Sequence, residues 1–318
     1  MNLSLNETFL VVFVAVAALA ALITFLGERA AARTTDRERL ARLDALNSRI
    51  RGSWSVLAVF TIAFVLGKWA LLVVFALASF FALREFLSLT PIKSSDHWAL
   101  VIAFYGIIPA QYLLLGFGRA SVVATFIPVY VFLLLPVIVA IRQDNERFLE
   151  RVAKLQWGLM ISVYCISFAP AIATLPIRGH EDRGPLLLLF FLAVLLLTDA
   201  MQLVASAALG GRALRSNPRK TIRGLVAGSL VGALIGTALT WLTPFTWWQA
   251  LVMSLVIVGT GYLGSVVLAS VKQSLGAREW DTEVVLTRGV LERLEGLTFA
   301  APLFWQVTRY FWVIRADV

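Results

Sequence analysis

The sequence has little of what disulfide-bonded, zinc-binding and soluble proteins use. Cys165 is the only cysteine, so no disulfide can form within the chain and a thiolate metal site is not expected. Two histidines, His97 and His180, are too few for a histidine-cluster metal site or an H-E-x-x-H protease. Charged residues make up only 15% of the chain, against roughly 25% in soluble domains. Any metal would therefore be held by carboxylates, which suits a hard cation such as Mg²⁺.

Apolar residues are abundant, at 59% of the 318 residues, and they occur in long runs. About 20 apolar residues span a bilayer as a helix. We therefore predict an all-α, polytopic membrane protein that forms one domain over residues 1–318, with no separate soluble unit. The runs predict about ten transmembrane helices, at 8–27, 54–66, 69–87, 99–117, 121–141, 153–175, 185–207, 222–242, 247–270 and 297–314.

An amphipathic segment follows the first predicted span. Within residues 32–51, four apolar side chains share one helical stripe and arginines occupy the other faces; the four are Leu40, Leu43, Leu46 and Ile50. This pattern predicts a helix lying on the membrane surface, with a fraying basic linker as the alternative. The N-terminal spans thus cover 8–175, including this helix, and a C-terminal region covers 185–314.

The distribution of positive charge predicts the orientation. With the N-terminus outside, 22 of the 28 Lys and Arg residues fall in the inside segments, as the positive-inside rule requires. The net charge of +9 then reflects loops that face an anionic leaflet, and nucleic acid is not expected as a partner because the charge is spread over many loops. We expect a bacterial inner (cytoplasmic) membrane protein whose active face is cytoplasmic.

Asp199 interrupts the predicted span 185–207 about two turns before its inner end. An ionisable group at such a depth is costly and is usually functional. The alternative is a carboxylate that caps a helix ending earlier.

The loop at 210–224 combines three glycines with five cations: Arg212, Arg215, Arg219, Lys220 and Arg223. Arginine and lysine bind phosphates, and the helix that begins near Thr221 adds the positive end of its dipole. The loop suits a triphosphate, although any membrane protein has basic inside loops.

Glycines recur every fourth residue on the following span, at Gly224, Gly228, Gly232 and Gly236. Small residues at this spacing allow helices to pack closely in lipid. We predict a packing role for them, and the same contact for Gly259, Gly261 and Gly264 on the next span.

The segment 264–296 is polar and rich in charge, yet it lies between two apolar spans. It resembles the signature of the CDP-diacylglycerol synthase (phosphatidate cytidylyltransferase) family. Gly264, Lys272, Gly276, Gly289 and Arg293 match that signature outright. Arg278, Glu279, Glu292 and Glu295 match it in charge.

Other parts of the chain resemble further blocks of the family, in the family's order. Leu83-Arg84-Glu85-Phe86 is similar to an early ALxEF block. The run from Asp199 to Gln202 and the run from Asn217 to Gly224 resemble a D-x-x-Q … SPKKT-x-EG block. Residues 298–311 resemble its closing helix.

The resemblance implies that phosphatidate and CTP react to give CDP-diacylglycerol and pyrophosphate at the membrane surface. It implies catalytic roles for Asp199, Lys272, Glu292 and Arg293, and Mg²⁺, with or without a second cation, at Asp199, Glu292 and Glu295. Ser265 is a weak fourth ligand. The implied substrate-binding residues are Arg212, Arg219, Lys220, Thr221, Arg278 and Arg288. The oligomeric state stays open between a monomer and a homodimer.

Departures from the family pattern leave two other functions open. Ser265 replaces a metal-binding Asp, Glu292 replaces another, Gln273 replaces a cation and Thr287 replaces a histidine. These changes favour, as an alternative, a non-catalytic relative that binds lipid or nucleotide or scaffolds a partner in phospholipid synthesis. A membrane transporter is the third hypothesis, although we find no pair of broken helices in repeated halves.

Overall fold

The fold is described from a computed structural model. It describes residues 63, 66–90, 96–141, 146–177, 179–180, 183–214, 217, 220–276 and 289–314, with four isolated positions at 14, 21, 25 and 29. These ranges contain eight long helices: α1 (Lys68–Ser88), α2 (His97–Gly116), α3 (Ala120–Ala140), α4 (Phe148–Ala173), α5 (Gly184–Leu209), α6 (Ile222–Ala238), α7 (Trp247–Ser274) and α8 (Val290–Arg309).

The helices agree with eight of the ten predicted spans to within a few residues, except that α8 begins at Val290, seven residues before the predicted span. Six of them are long and apolar enough to cross a membrane; α6 is shorter, and α8 carries charges in its first two turns. The chain is therefore an integral membrane protein by helix length and composition. The predicted count of ten is not confirmed, because the spans 8–27 and 54–66 and the amphipathic segment 32–51 lie largely or wholly outside the described residues.

Helices α4, α5 and α8 form the centre of the bundle. The whole run Ile166–Ile172 of α4 and the run Leu186–Val194 of α5 are buried. Phe304 of α8 packs against Phe190 and Phe191 of α5, with ring centroids 6.3 and 5.3 Å apart. Large apolar side chains on the outer faces of α3 and α6 are exposed, as lipid-facing residues are.

Prolines in α3 leave two backbone carbonyls without a helical N–H donor, and side chains of α4 donate hydrogen bonds to these carbonyls instead. Pro128 and Pro136 have no N–H to donate to the carbonyls of Ala124 and Phe132, four residues earlier. The hydroxyl of Tyr164 donates to Ala124 O at 3.1 Å, and Nε2 of Gln156 donates to Phe132 O at 2.9 Å. Helix α3 is π-helical over Phe126–Val131, around the first of these prolines.

The glycine stripe of α6 packs directly against α5, which confirms the prediction. A Cβ at Gly224 would overlap Ser206, one at Gly228 would overlap the backbone of Gln202, and one at Gly232 would overlap Thr198. All four glycines of the stripe are buried. The two helices therefore approach at backbone distance, which holds their register tightly.

The prediction for the glycines of α7 was wrong in part, because they do not all share this contact. A Cβ at Gly261 would come within 3.0 Å of Leu195 on α5, whereas one at Gly264 would face Phe299 on α8. Gly259 has nothing within 4 Å of that position. Helix α7 turns these faces to different neighbours because its glycines are spaced by two and three residues instead of four.

Candidate active site

One end of the bundle, which we call the site end, contains the ends of the helices that bear on the predicted site. Helices α1, α5 and α7 finish there, and the antiparallel helices α6 and α8 begin there. Asp199 lies ten residues before the end of α5, well inside the helix, so it does not cap an earlier helix end. Every predicted site residue that the structure describes belongs to α5, to α6 and the loop before it, to α7 or to α8.

Lys220 is the centre of a buried polar network at the site end. Its Nζ donates to Asp199 Oδ1 and to Gln202 Oε1, both at 2.6 Å. Gln202 Nε2 in turn donates to Ser229 Oγ on α6 at 3.0 Å. Lys220 is 8% exposed and Gln202 is 4% exposed, so the ion pair is largely shielded from solvent. Such a pair needs additional hydrogen bonds to offset the cost of desolvation, and Gln202 supplies one.

The loop between α5 and α6 folds back on itself to place Lys220. Leu214 N donates to Lys220 O at 2.8 Å, and Ile222 N donates to Arg212 O at 3.1 Å. Gly211 has a φ of 107°, a conformation that favours glycine. Thr221 then caps α6, because its Oγ1 accepts the N–H of Gly224 at 3.1 Å.

A second buried ion pair joins α7 to α8. Nζ of Lys272 donates to Oε1 of Glu295 at 2.8 Å, and the two side chains are 14% and 9% exposed. Lys272 lies in the last turn of α7, and Glu295 lies in the second turn of α8. The site end therefore contains two lysines on different elements, each held by a carboxylate.

The packing of Leu195 shows how the two pairs are brought together. A Cβ at Gly261 of α7 would lie 3.0 Å from Leu195, and one at Gly296 of α8 would lie 3.2 Å from it. Leu195 thus packs where α5, α7 and α8 meet.

Three candidate site residues lie one helical turn from that point, towards the site end. Four residues make about one turn of a helix, and α8 runs opposite to α5 and α7. The residues one turn on are therefore Asp199 of α5, Ser265 of α7 and Glu292 of α8. These are the positions at which the sequence resemblance implies metal ligands.

The described residues do not by themselves form a magnesium site. They contain no group of three acidic, histidine or cysteine side chains arranged to hold a metal ion. Asp199 and Glu295 are each bound to a lysine, and Ser265 Oγ donates to Tyr262 O of its own helix at 2.8 Å. Among the described residues, the donor set is therefore two lysine–carboxylate pairs and a serine whose hydroxyl is used within its own helix, instead of the carboxylate cluster that a divalent cation prefers.

Comparison with known proteins assigns the family. Residues 47–311 match the model of the cytidylyltransferase family. The chain belongs to the cytidylyltransferase family. An Escherichia coli protein named Uncharacterized protein YnbB is 32% identical over 268 residues, which cover 82% of this chain and 87% of that protein.

Relatives with a named activity match a smaller part of the chain. Phosphatidate cytidylyltransferases of Brucella abortus and Brucella suis are each 30% identical over 139 residues, 41% of this chain. The match spans 49% of those proteins, about half their length. Membership of the cytidylyltransferase family supports a nucleotidyltransferase activity, and the substrate belongs to the proposal below.

The structure of this cytidylyltransferase-family chain brings four of the nine predicted site residues that it describes into direct contact. Asp199 with Lys220, and Lys272 with Glu295, form direct pairs. Arg212 is exposed at the start of the loop, while Glu292 and Arg293 are half-buried in the first turn of α8. Thr221 is 2% exposed and its hydroxyl caps α6, so its role in substrate binding stays a prediction. Arg219, Arg278 and Arg288 lie outside the described residues.

Sequence reasoning did not assign roles to three residues that hold this site together: Gln202, Ser206 and Glu85. Ser206 Oγ accepts the N–H of Thr221 at 3.0 Å, so it fixes the end of the loop. Asp199, Gln202 and Ser206 are spaced by three and four residues, which puts three polar side chains on one face of an apolar helix. That stripe was a readable signal. Glu85 accepts the N–H of Leu291 on α8, a contact that its match to the family's early block did not indicate.

Proposed function

We propose that the chain is a CTP:phosphatidate cytidylyltransferase, which makes CDP-diacylglycerol and pyrophosphate for phospholipid synthesis. The observation that carries the proposal is the pair of shielded lysines, Lys220 and Lys272, each held by a carboxylate at the site end. Both substrates bring phosphate groups to the site, and the family supports cytidylyl transfer. Fixed positive charge at that point is what such a transfer needs.

In the proposed reaction, a phosphate oxygen of phosphatidate attacks the α-phosphorus of CTP. A new P–O bond forms, the bond from the α-phosphorus to the oxygen it shares with the β-phosphorus breaks, and pyrophosphate leaves with the electron pair. Negative charge builds up on the leaving group as that bond breaks. The task of the chain is to align the two substrates and to stabilise that charge.

Lys220 is suited to hold a phosphate group. A lysine ammonium has three donors, and two of them bind Asp199 and Gln202. The third N–H of the Lys220 ammonium can therefore donate to a phosphate oxygen, while the bonds to Asp199 and Gln202 keep the ammonium in place. Arg212, exposed on the same loop, and Arg293 on α8 would add charge from two sides.

Lys272, held by Glu295, would supply a second fixed positive charge. Mg²⁺ enters this proposal with the substrate, as the magnesium complex of CTP, because Mg²⁺ commonly binds through substrate phosphates and one or two carboxylates. Glu292 and Asp199 are the carboxylates that would bind the Mg²⁺ of that complex. The inside loops that carry most of the basic residues would place the site end at the cytoplasmic face of a bacterial inner membrane, where a lipid headgroup and a soluble nucleotide can meet.

The test is direct formation of product. Purified full-length protein in detergent is incubated with dioleoyl phosphatidate, radiolabelled CTP and Mg²⁺, and labelled CDP-diacylglycerol is separated from CTP. We expect product from the wild type and a loss of at least 100-fold with Glu292→Ala or Lys220→Met. Lys154→Ala is the matched control, because Lys154 also pairs with a carboxylate, Glu150, but on the surface of α4.

Product that disappears with Glu292→Ala and persists with Lys154→Ala would establish the activity. No product from a folded wild type that still binds CTP or phosphatidate would overturn it. Replacing CTP with dCTP, ATP and GTP in the same assay identifies the nucleotide.

One observation favours a second candidate function, the non-catalytic one. Ser265 stands where the family has a metal-binding Asp, and its hydroxyl is used by Tyr262 O of the same helix. A Ser265→Asp variant separates the two functions. If the wild type is inactive and Ser265→Asp makes CDP-diacylglycerol, the native chain is a binding protein. If the wild type is active, the lysine–carboxylate pairs suffice without that Asp.

A further inference from the structure

Glu85, near the end of α1, makes a contact at the site end with a residue far along the chain. Its Oε2 accepts the N–H of Leu291, in the first turn of α8, at 3.1 Å, across 206 positions of sequence. Glu85 is 8% exposed. Its neighbour on the same helix, Arg84, is exposed, so the burial of Glu85 follows from the direction of the side chain towards α8.

The contact caps the N-terminal end of α8. The first N–H groups of a helix have no partner within it, and together they carry the positive end of the helix dipole. Gly289, which precedes the helix, has no side chain with which to cap them, and no side-chain cap forms there. Glu85 supplies the missing acceptor from another helix, and the amide of Val290 also contributes.

Gly289 is required by the same contact. A Cβ at Gly289 would overlap the carboxyl group of Glu85. The φ of Gly289 is −54°, which any residue adopts, so backbone freedom does not explain the glycine. The space that the Glu85 carboxyl group occupies explains why the residue is a glycine.

The other carboxylate oxygen, Oε1, is buried and has no hydrogen-bond partner among the described residues. Leaving a buried carboxyl oxygen unmatched is costly, and the bond that Oε2 accepts from Leu291 N offsets part of that cost. The charged neighbours of this carboxylate are Glu292 and Lys272. Glu85 therefore adjoins the second ion pair of the site without being part of it.

From these contacts we propose that Glu85 is a positioning residue for the site. Its carboxylate holds the first turn of α8 against α1, and so fixes where Glu292 and Arg293 stand and where Glu295 meets Lys272. It acts through α8 and need not touch either substrate. The part of the proposal that concerns turnover rests on the proposed cytidylyltransferase activity, whereas the part that concerns α8 does not.

The experiment has one arm that needs no turnover. Amide hydrogen exchange is followed by mass spectrometry on full-length protein in lipid nanodiscs, for peptides that cover 289–297. We expect Glu85→Ala to make the first-turn amides of α8 exchange about tenfold faster, as the loss of a helix cap does, and Glu85→Gln to keep most of the protection because an amide oxygen can still accept. Glu150→Ala is the matched control, since Glu150 is also a helical glutamate but is exposed and pairs with Lys154 of its own helix.

A double substitution tests the geometry directly. Gly289→Ala alone should deprotect the same peptide, because its Cβ displaces the Glu85 carboxyl group. In a Glu85→Ala background the same Gly289→Ala change should have almost no further effect, since the obstacle has been removed. Independent, additive effects of the two changes, or unchanged exchange in Glu85→Ala, would overturn the proposal.

The second arm measures CDP-diacylglycerol formation under the conditions given above. We expect Glu85→Ala to lower kcat at least tenfold per folded molecule, with little change in the KM for CTP, and Glu85→Gln to recover most of it. Equal kcat in Glu85→Ala and wild type, together with faster exchange, would make Glu85 a structural cap only and refute its positioning role. If the wild type itself gives no product, the proposed function fails while the exchange arm still decides the contact.

Discussion

Two helix pairs in this bundle are joined in opposite ways. Between α3 and α4, side chains reach across to the backbone: Tyr164 and Gln156 cover two carbonyls that prolines leave without a partner. Between α5 and α6, the α6 side of the contact has no side chains at Gly224, Gly228 and Gly232, so that helix lies directly against the backbone and short side chains of α5. The first pair lies away from the site, and the second pair carries Asp199 and Lys220.

The difference shows what each kind of contact is suited to. A hydrogen bond from a long side chain to a carbonyl tolerates small shifts, and the loss of one such bond costs little in a membrane. Backbone contact through glycine tolerates no added atom, so it fixes one helix against the other. The Asp199–Lys220 pair joins α5 to the loop before α6. It depends on the glycine contact between the two helices, because the pair is largely shielded from solvent and its geometry must be fixed by the protein.

The largest effect is expected from a β-branched residue in the glycine contact. Gly228→Val would place its side chain on the backbone of Gln202, which cannot move aside. We expect a loss of stability of about 3 kcal/mol or more, seen as unfolded or aggregated protein by size exclusion and thermal unfolding in detergent. Gly259→Val is the matched control, because no atom lies within 4 Å of the added Cβ. Equal stability of the two variants would contradict the glycine contact.

A smaller effect is expected from breaking the ion pair that this contact supports. Lys220→Met leaves the Asp199 carboxylate without its cation; because the Asp199 side chain is 23% exposed, we expect a cost of about 1–3 kcal/mol, below that of a fully buried pair. Adding Asp199→Asn should restore most of the melting temperature and none of the turnover. Thermal unfolding and the CDP-diacylglycerol assay measure the two readouts. A Lys220→Met variant as stable as wild type would show that the pair does not contribute to stability.

The smallest effect is expected between α3 and α4. Tyr164→Phe removes the donor to Ala124 O and should cost about 1 kcal/mol, with turnover per folded molecule unchanged. Pro128→Ala gives that carbonyl a helical N–H, so the cost of Tyr164→Phe should shrink in the Pro128→Ala background. A double-mutant cycle of thermal unfolding measures the coupling. An undiminished cost would mean that Tyr164 stabilises the helix pair by packing alone.

Most of the bundle could be predicted from sequence because the signals are local. Apolar runs set the helices to within a few residues, and the four-residue spacing in Gly224, Gly228, Gly232 and Gly236 predicted a close contact that the structure confirms. The glycines of α7 were harder, because spacing alone does not say which neighbour each one faces. Only the packing of Leu195 against Gly261 and Gly296 decides that.

The candidate site could be predicted as a set of residues but not as a set of partners. Asp199 and Glu295 were expected to bind metal, and Lys220 and Lys272 to bind phosphate, yet each carboxylate pairs with a lysine. These pairs join residues that lie 21 and 23 positions apart in sequence, and no periodicity links them. The assignment of Asp199, Glu292 and Glu295 to Mg²⁺ stays a prediction.

The bond between Glu85 and Leu291 also has a consequence for how the protein is made. At about 5–20 residues per second, a ribosome needs roughly 10–40 s to synthesise the 206 residues that separate them. During that interval α1 is already in or near the membrane, and its carboxylate has no helix to bind. Assembly of the site end must therefore wait for the last helix, and a chain that stops short of α8 leaves the Glu85 carboxyl group without the amide that it binds.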